Sequence, residues 1–182
     1  TRDPDELVAA LSSPDQQVRI DALALMIDVI PESPAAVTAL TTALTDMDSL
    51  IRWNAARILS EIGPRARAAV PALKVCLQDS SVKIRLTAAA ALWEITHQAE
   101  PILPLLTETL KTSHGDDWFA AASLIKKMGP AAGSVVPLWL QLLEDESRRD
   151  GRDYIIEILG NTGTPAAAAI PALTRLAEDP DG

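Results

Sequence analysis

Two histidines, one cysteine and two short acidic runs are the side chains in this 182-residue sequence that invite a catalytic or metal-binding reading. His97 falls in a turn after one helical segment and His114 in a turn before the next, at opposite ends of helices roughly 20 Å long, so they are not placed to share a metal. Cys76 has no second thiol to pair with, and it occupies a recurring position held elsewhere by Ala43, Thr109 and Leu142, which makes it a packing residue. Asp116-Asp117 and Glu144-Asp145-Glu146 contain enough carboxylates for an acid/base pair. They stand at helix starts and ends, however, where capping and solvation account for them. No CxxC pair, phosphate-gripping glycine loop or nucleophile elbow is present. These residues predict no catalytic residue, no metal site and no cofactor, and hence a protein that binds rather than an enzyme.

Charge narrows what it could bind. Sixteen Lys and Arg against 25 Asp and Glu leave a net charge of -9, which repels phosphate backbones and anionic membrane surfaces. Neither nucleic acid nor a membrane is expected as a partner. The longest uncharged run, 128–143, is too short to span a bilayer and contains Pro137. Hydrophobic residues make up 48% of the chain but aromatics only 3%, so the core is to be built from Ala, Leu, Ile and Val on closely packed helices. The lone cysteine fits a reducing, cytoplasmic setting. The start at Thr1, without an initiator Met or an apolar leader, suggests processing or excision from a longer chain.

The elements that would position any site follow from a period. Leu11, Leu44, Leu77, Leu110 and Leu143 stand 33 residues apart, and Ala22, Ala55, Ala88 and Ala121 keep the same step. Pro71, Pro104 and Pro137 also keep it, whereas Pro171 arrives one residue late, which places a one-residue insertion in the polar turn 144–151. Within each period the apolar residues recur at three and four, so each unit is a pair of helices. First helices are expected near 4–13, 34–46, 66–79, 99–112, 131–145 and 165–178, and second helices near 16–30, 48–62, 81–96, 116–128 and 149–161. The prolines fall just inside the first helices, which should bend there or start afresh. Gly63-Pro64 and Gly129-Pro130 carry a left-handed-capable glycine and the proline that closes a helix. With no linker, the chain reads as a single domain over 1–182, with repeats near 4–30, 34–62, 66–96, 99–128 and 131–161 and a half repeat at 165–178. The last helix, with Ile170, Leu173 and Leu176, should show apolar surface, as a fragment of a longer repeat protein or a docking end would.

The text ALKVCLQDSSVKIRLTAAAALWEI resembles a HEAT repeat, particularly the short kind of phycobilisome-lyase-like proteins: a proline in the first helix, an Asp in the turn, then a hydrophobic-Arg pair and small residues. Asp46 with Arg52, Asp79 with Arg85, and Asp145 with Arg152 match the stacked Asp and Arg columns of that family, while Ser13 stands for the first Asp and Thr112 and Trp118 replace both in the fourth repeat. The resemblance implies an all-α fold, a right-handed α-α superhelix of HEAT type with about five hairpins and a final lone helix. Ankyrin repeats share the period but not the Thr-Pro-Leu-His signature.

In HEAT solenoids the second helices line the concave face, and five of the six aromatics lie on second helices here. The resemblance therefore places Ile20, Trp53, Leu86, Trp93, Phe119 and Tyr154 on a binding face, flanked by Asp21, Asp28, Glu61, Glu94 and Glu157. The function expected is a protein-protein interaction scaffold holding a peptide or protein segment. The alternative that the resemblance permits is a subunit of a chromophore lyase system. Tight curvature or a neighbouring domain burying the stripe is the competing structural reading.

Overall fold

The structure is a computed structural model describing residues 4–29, 34–145 and 151–178. All of its regular elements are helical, with no strand among the described residues. The chain, expected as one continuous solenoid, divides into two compact units, 1–98 and 99–182.

The first unit holds α1 (Pro4–Ala10), α2 (Gln16–Val29), α3 (Pro34–Ala43), α4 (Ser49–Ile62), α5 (Val70–Cys76) and α6 (Val82–Thr96). α1 packs on α2, α3 on α4 and α5 on α6, and the hairpins stack so that first helices meet first helices and second helices meet second helices. α4 shows why these residues do so. Asp48 caps it by accepting from Leu50 N at 2.7 Å, and Ile51, Ala55, Ile58, Leu59 and Ile62 recur at three and four to bury one face. Ala55 and Ala88 are 0% exposed, and side chains this small let α4 and α6 approach closely.

The second unit holds α7 (Leu103–Thr112), α8 (Gly115–Met128), α9 (Val136–Glu144), α10 (Arg152–Thr162) and α11 (Ile170–Glu178). α7 packs on α8, α9 on α10, and α8 on α10. In both units the prolines act as expected, since α5, α7, α9 and α11 each begin one residue before Pro71, Pro104, Pro137 and Pro171. A proline in the first turn loses no helical hydrogen bond. Short 3₁₀ segments precede α5 and α9, Gly63–Ala69 and Gly129–Val135, so those first helices are broken rather than straight.

Gly63 and Gly129, at the ends of α4 and α8, differ from the left-handed conformation expected of them, and Gly163 at the end of α10 does as they do. Gly63 (φ 64, ψ -138), Gly129 (φ 55, ψ -128) and Gly163 (φ 69, ψ -137) lie outside the left-handed helical region, in one that a Cβ excludes. His97, at φ 54 and ψ 27, is the residue that adopts the left-handed cap. On α11, Ile170 is 61% exposed and Leu173 half-buried. The side chain of Leu176 and most of the turn with the insertion, 146–150, lie outside the described residues.

Candidate functional site

The Asp and Arg columns form a ladder that is structural. Arg52 Nη1 donates to the carbonyl oxygens of Asp46 (2.9 Å) and Met47 (3.1 Å) in its own turn, while Nε and Nη2 grip both carboxylate oxygens of Asp79 in the next repeat at 2.8 and 3.1 Å. Arg19 repeats the plan: Nη1 bonds Ser13 O and Pro14 O, and Nη2 donates to Asp46 Oδ1 at 3.2 Å. Its Nε lies 2.9 Å from Asp46 Oδ2 but off line, leaving that N–H unsatisfied. Arg85 Nη1 takes the carbonyls of Asp79 (2.8 Å) and Ser80 (3.2 Å), and the next ladder position is Thr112. Each Asp also folds its own turn: Asp46 Oδ1 accepts from Asp48 N and Asp79 Oδ1 from Ser81 N, both at 2.9 Å. Ser13 keeps this second duty through Asp15 N at 3.1 Å, which explains why a hydroxyl can stand where a carboxylate recurs. The bond from Arg52 holds the Asp79 carboxyl below its ordinary range and lifts Arg52 in turn.

On the second helices of the first unit, Ile20 and Trp53 are half-buried, whereas Leu86 (7% exposed) and Trp93 (9%) are buried. The expectation that Leu86 and Trp93 face solvent is therefore corrected. The cause is the pattern of α6, whose apolar residues Ile84, Leu86, Ala88, Ala89, Ala91, Leu92, Trp93 and Ile95 surround the helix rather than forming a stripe. Trp93 also stacks on the His97 ring at 5.4 Å, and His97 Nδ1 lies 2.9 Å from Trp93 O. Trp53 is covered by cations, with Lys83 Nζ 4.0 Å from its ring centroid and Arg57 at 5.7 Å. The acidic flank is thereby partly neutralised here, since Glu61 pairs with Arg57 at 2.6 Å. The side chain of Asp28 lies outside the described residues.

The second unit presents the more open face. Phe119 is 51% exposed and Ile156 41%, with Tyr154 half-buried between the two helices. Trp118, at the ladder position, is buried and packs edge-on against Phe119 (5.1 Å) and Trp139 (6.2 Å). Phe119 and Tyr154 lie 5.8 Å apart, tilted by 58°. Lys126 on α8 bonds Glu157 on α10 at 2.6 Å and hangs 5.2 Å over the Tyr154 ring, and the pairing with Glu157 raises its pKa. Ile156 was missed in the sequence, although its place three residues after Asp153 puts it on the same helical face as the column read there.

Cys76 is buried, with Sγ 3.7 Å from Leu44 O, and burial pushes its thiol pKa up, away from the reactive thiolate. No group of three His, Cys, Asp or Glu among the described residues is placed to hold a metal, and no described helix is long and apolar enough to cross a membrane.

Stacked antiparallel hairpins joined by an Arg–Asp ladder define an α-helical repeat protein. Residues 4–93 match the sequence model of the HEAT repeats family, so that stretch of the chain is built of HEAT repeats. No curated protein matches the sequence. Among solved structures, the complex of CpcE and CpcF of phycocyanin lyase from Nostoc sp. PCC7120 is similar at 24% identity and a TM-score of 0.68, over 90% of this chain and 66% of that one. Two engineered proteins are similar at 20% and 21% identity, with TM-scores of 0.63 and 0.64. They cover 89% and 98% of this chain and 80% and 90% of their own. Likeness at this level of identity establishes the fold alone.

Proposed function

We propose that the chain is a non-catalytic binding module that holds a peptide or protein segment on the exposed face of its second helices. The observation that carries this reading is Phe119, a large aromatic ring 51% exposed on α8 and paired with Tyr154 on α10. Exposed aromatic rings cost solubility, and interfaces draw most of their energy from a few such anchors. Protein rather than nucleic acid is the partner class, because the net charge of -9 opposes phosphate. The similar phycocyanin lyase structure is itself a complex of two chains, which supports a protein partner.

The test is affinity capture by the wild-type protein beside Phe119→Ala, with helicity and melting recorded for both. Loss of a captured partner at unchanged melting is the expected result, at a cost of about 2 kcal/mol or more in affinity. A variant that stays folded and keeps every partner places the site elsewhere. Similarity to the phycocyanin lyase complex also supports a second reading, a subunit of a chromophore lyase system, and an induced absorbance change on mixing with a bilin would mark it.

A further inference from the structure

Resting on that binding reading, we propose that the face of α8 and α10 takes a segment with a cationic side chain, Arg or Lys, followed closely by an aliphatic one. The two helices run side by side in the same direction, because their cross-contacts occur in the same order: Phe119 to Tyr154 early in each helix, then Lys126 to Glu157 later. Their first turns therefore lie at one edge of the face. That edge holds Asp116 and Asp153, both exposed, with half-buried Asp117 beside them.

None of these three carboxylates has an ion-pair partner among the described residues, whereas Glu157, further along the same face, is paired. Beyond the acidic edge the face becomes apolar and then shallow. Phe119 lies three residues after Asp116, Ile156 three after Asp153, and the exposed Ala120, Ser123 and Gly160 follow. A methyl group added at Gly160 would meet nothing within 4 Å, so there is open space above that end.

The spacing fits an extended chain. Asp116 to Phe119 advances about 5 Å along the helix and Phe119 to Ser123 about 6 Å. Two residues of an extended segment cover about 6.6 Å, so a cation at the acidic edge puts its neighbours over the ring and the shallow end. A guanidinium or ammonium group would also find the exposed Phe119 ring beside the carboxylates. Charge at larger scale agrees, since residues 99–182 contain 13 Asp and Glu against 7 Lys and Arg, a greater excess than the 12 against 9 of residues 1–98.

Acids in the first turn also stabilise helices, and the experiment separates that role from binding. Three capped peptides, Arg-Arg-Leu-Leu, Glu-Glu-Leu-Leu and Arg-Arg-Ser-Ser, are titrated into the isotope-labelled full chain and followed by backbone amide shifts. The first is expected to shift α8 and α10 amides saturably and to bind roughly tenfold tighter than either control, with the same loss in Asp116→Asn/Asp153→Asn. Equal binding of the Glu peptide overturns the proposal. So does a double variant that melts lower yet binds Arg-Arg-Leu-Leu unchanged, since the acids then serve their helices only. Should the double variant not fold, the ranking of the three peptides on the wild-type chain still decides. These results are independent of whether Phe119→Ala loses a captured partner, so the partner chemistry can fail while the binding module stands.

Discussion

Asp79 serves two helices at once. One carboxylate oxygen receives the Ser81 N–H that folds its own turn, and both receive the guanidinium of Arg52 from the preceding repeat. Removing the arginine strands a carboxylate that is largely out of water, so Arg52→Ala should lower unfolding stability by about 1–3 kcal/mol. An unchanged urea midpoint would refute the ladder. The Asp79 carboxyl titrates below its ordinary value in the folded chain, so the unfolded chain binds the proton first as pH falls. The stabilisation is therefore complete above the ordinary carboxylate range, about 4, and is lost as pH drops through the lower folded value. Arg52 is shifted upward by the same bond, and its contribution disappears only in strong alkali. Comparing wild type with Asp79→Asn between pH 7 and pH 3 checks the direction: the gap in stability should close toward acid. Cys76 gives a simpler measurement. With its thiol buried and its pKa raised, alkylation at neutral pH should be slow until denaturant opens the first unit, and rapid labelling of the folded protein would contradict the packing described.

At the scale of elements, the two 3₁₀ segments Gly129–Val135 and Thr164–Ala169 approach each other closely in the second unit. A Cβ at Gly133 would sit 2.7 Å from Pro165 Cβ and 2.9 Å from its Cγ, and a proline ring cannot rotate aside. Gly133→Ala should therefore cost about 1–3 kcal/mol, the usual penalty of overpacking, despite the better helix propensity of alanine. A melting temperature at or above wild type would show that the segments can separate freely. This glycine was not legible in the sequence, because its constraint comes from a neighbour 32 residues away rather than from its own backbone. The helices themselves were legible, since a 33-residue period and prolines in first turns are local signals that tertiary packing reinforces. The solvent-facing side of each second helix was only partly so. On α8 the exposed residues Asp116, Phe119, Ala120 and Ser123 follow one stripe, and Phe119 was read as outward-facing. On α6 apolar residues occupy every side, so no wheel could decide which would be covered, and Leu86 and Trp93 proved to be buried.

Across the whole chain the same hairpin is held together in two ways. In the first unit, Arg19 with Asp46 and Arg52 with Asp79 tie each repeat to the next, with side chains no more than 15% exposed. In the second unit Arg152 keeps the arginine position of the last hairpin, with Nε donating to Leu143 O at 3.0 Å, but Trp118 stands at that position in the hairpin before it and Trp139 where a leucine recurs, and the two rings pack edge to face with Tyr154 against Trp118. Their indole N–H groups are buried without an acceptor among the described residues, so this packing rests on apolar contact. The ion pairs of Lys126 with Glu157 and of Arg175 with Glu144 in the second unit are more exposed, and exposed pairs contribute little. Protonating carboxylates should consequently weaken the first unit more than the second, while the aromatic contacts are indifferent to pH. Urea unfolding followed through assigned amide resonances of each unit, at pH 7 and again at pH 3, reads this directly. The midpoint for α2, α4 and α6 should fall further in acid than that for α8 and α10. A single shared midpoint at both pH values, or a larger fall in the second unit, would mean that the Arg–Asp ladder is not what distinguishes them.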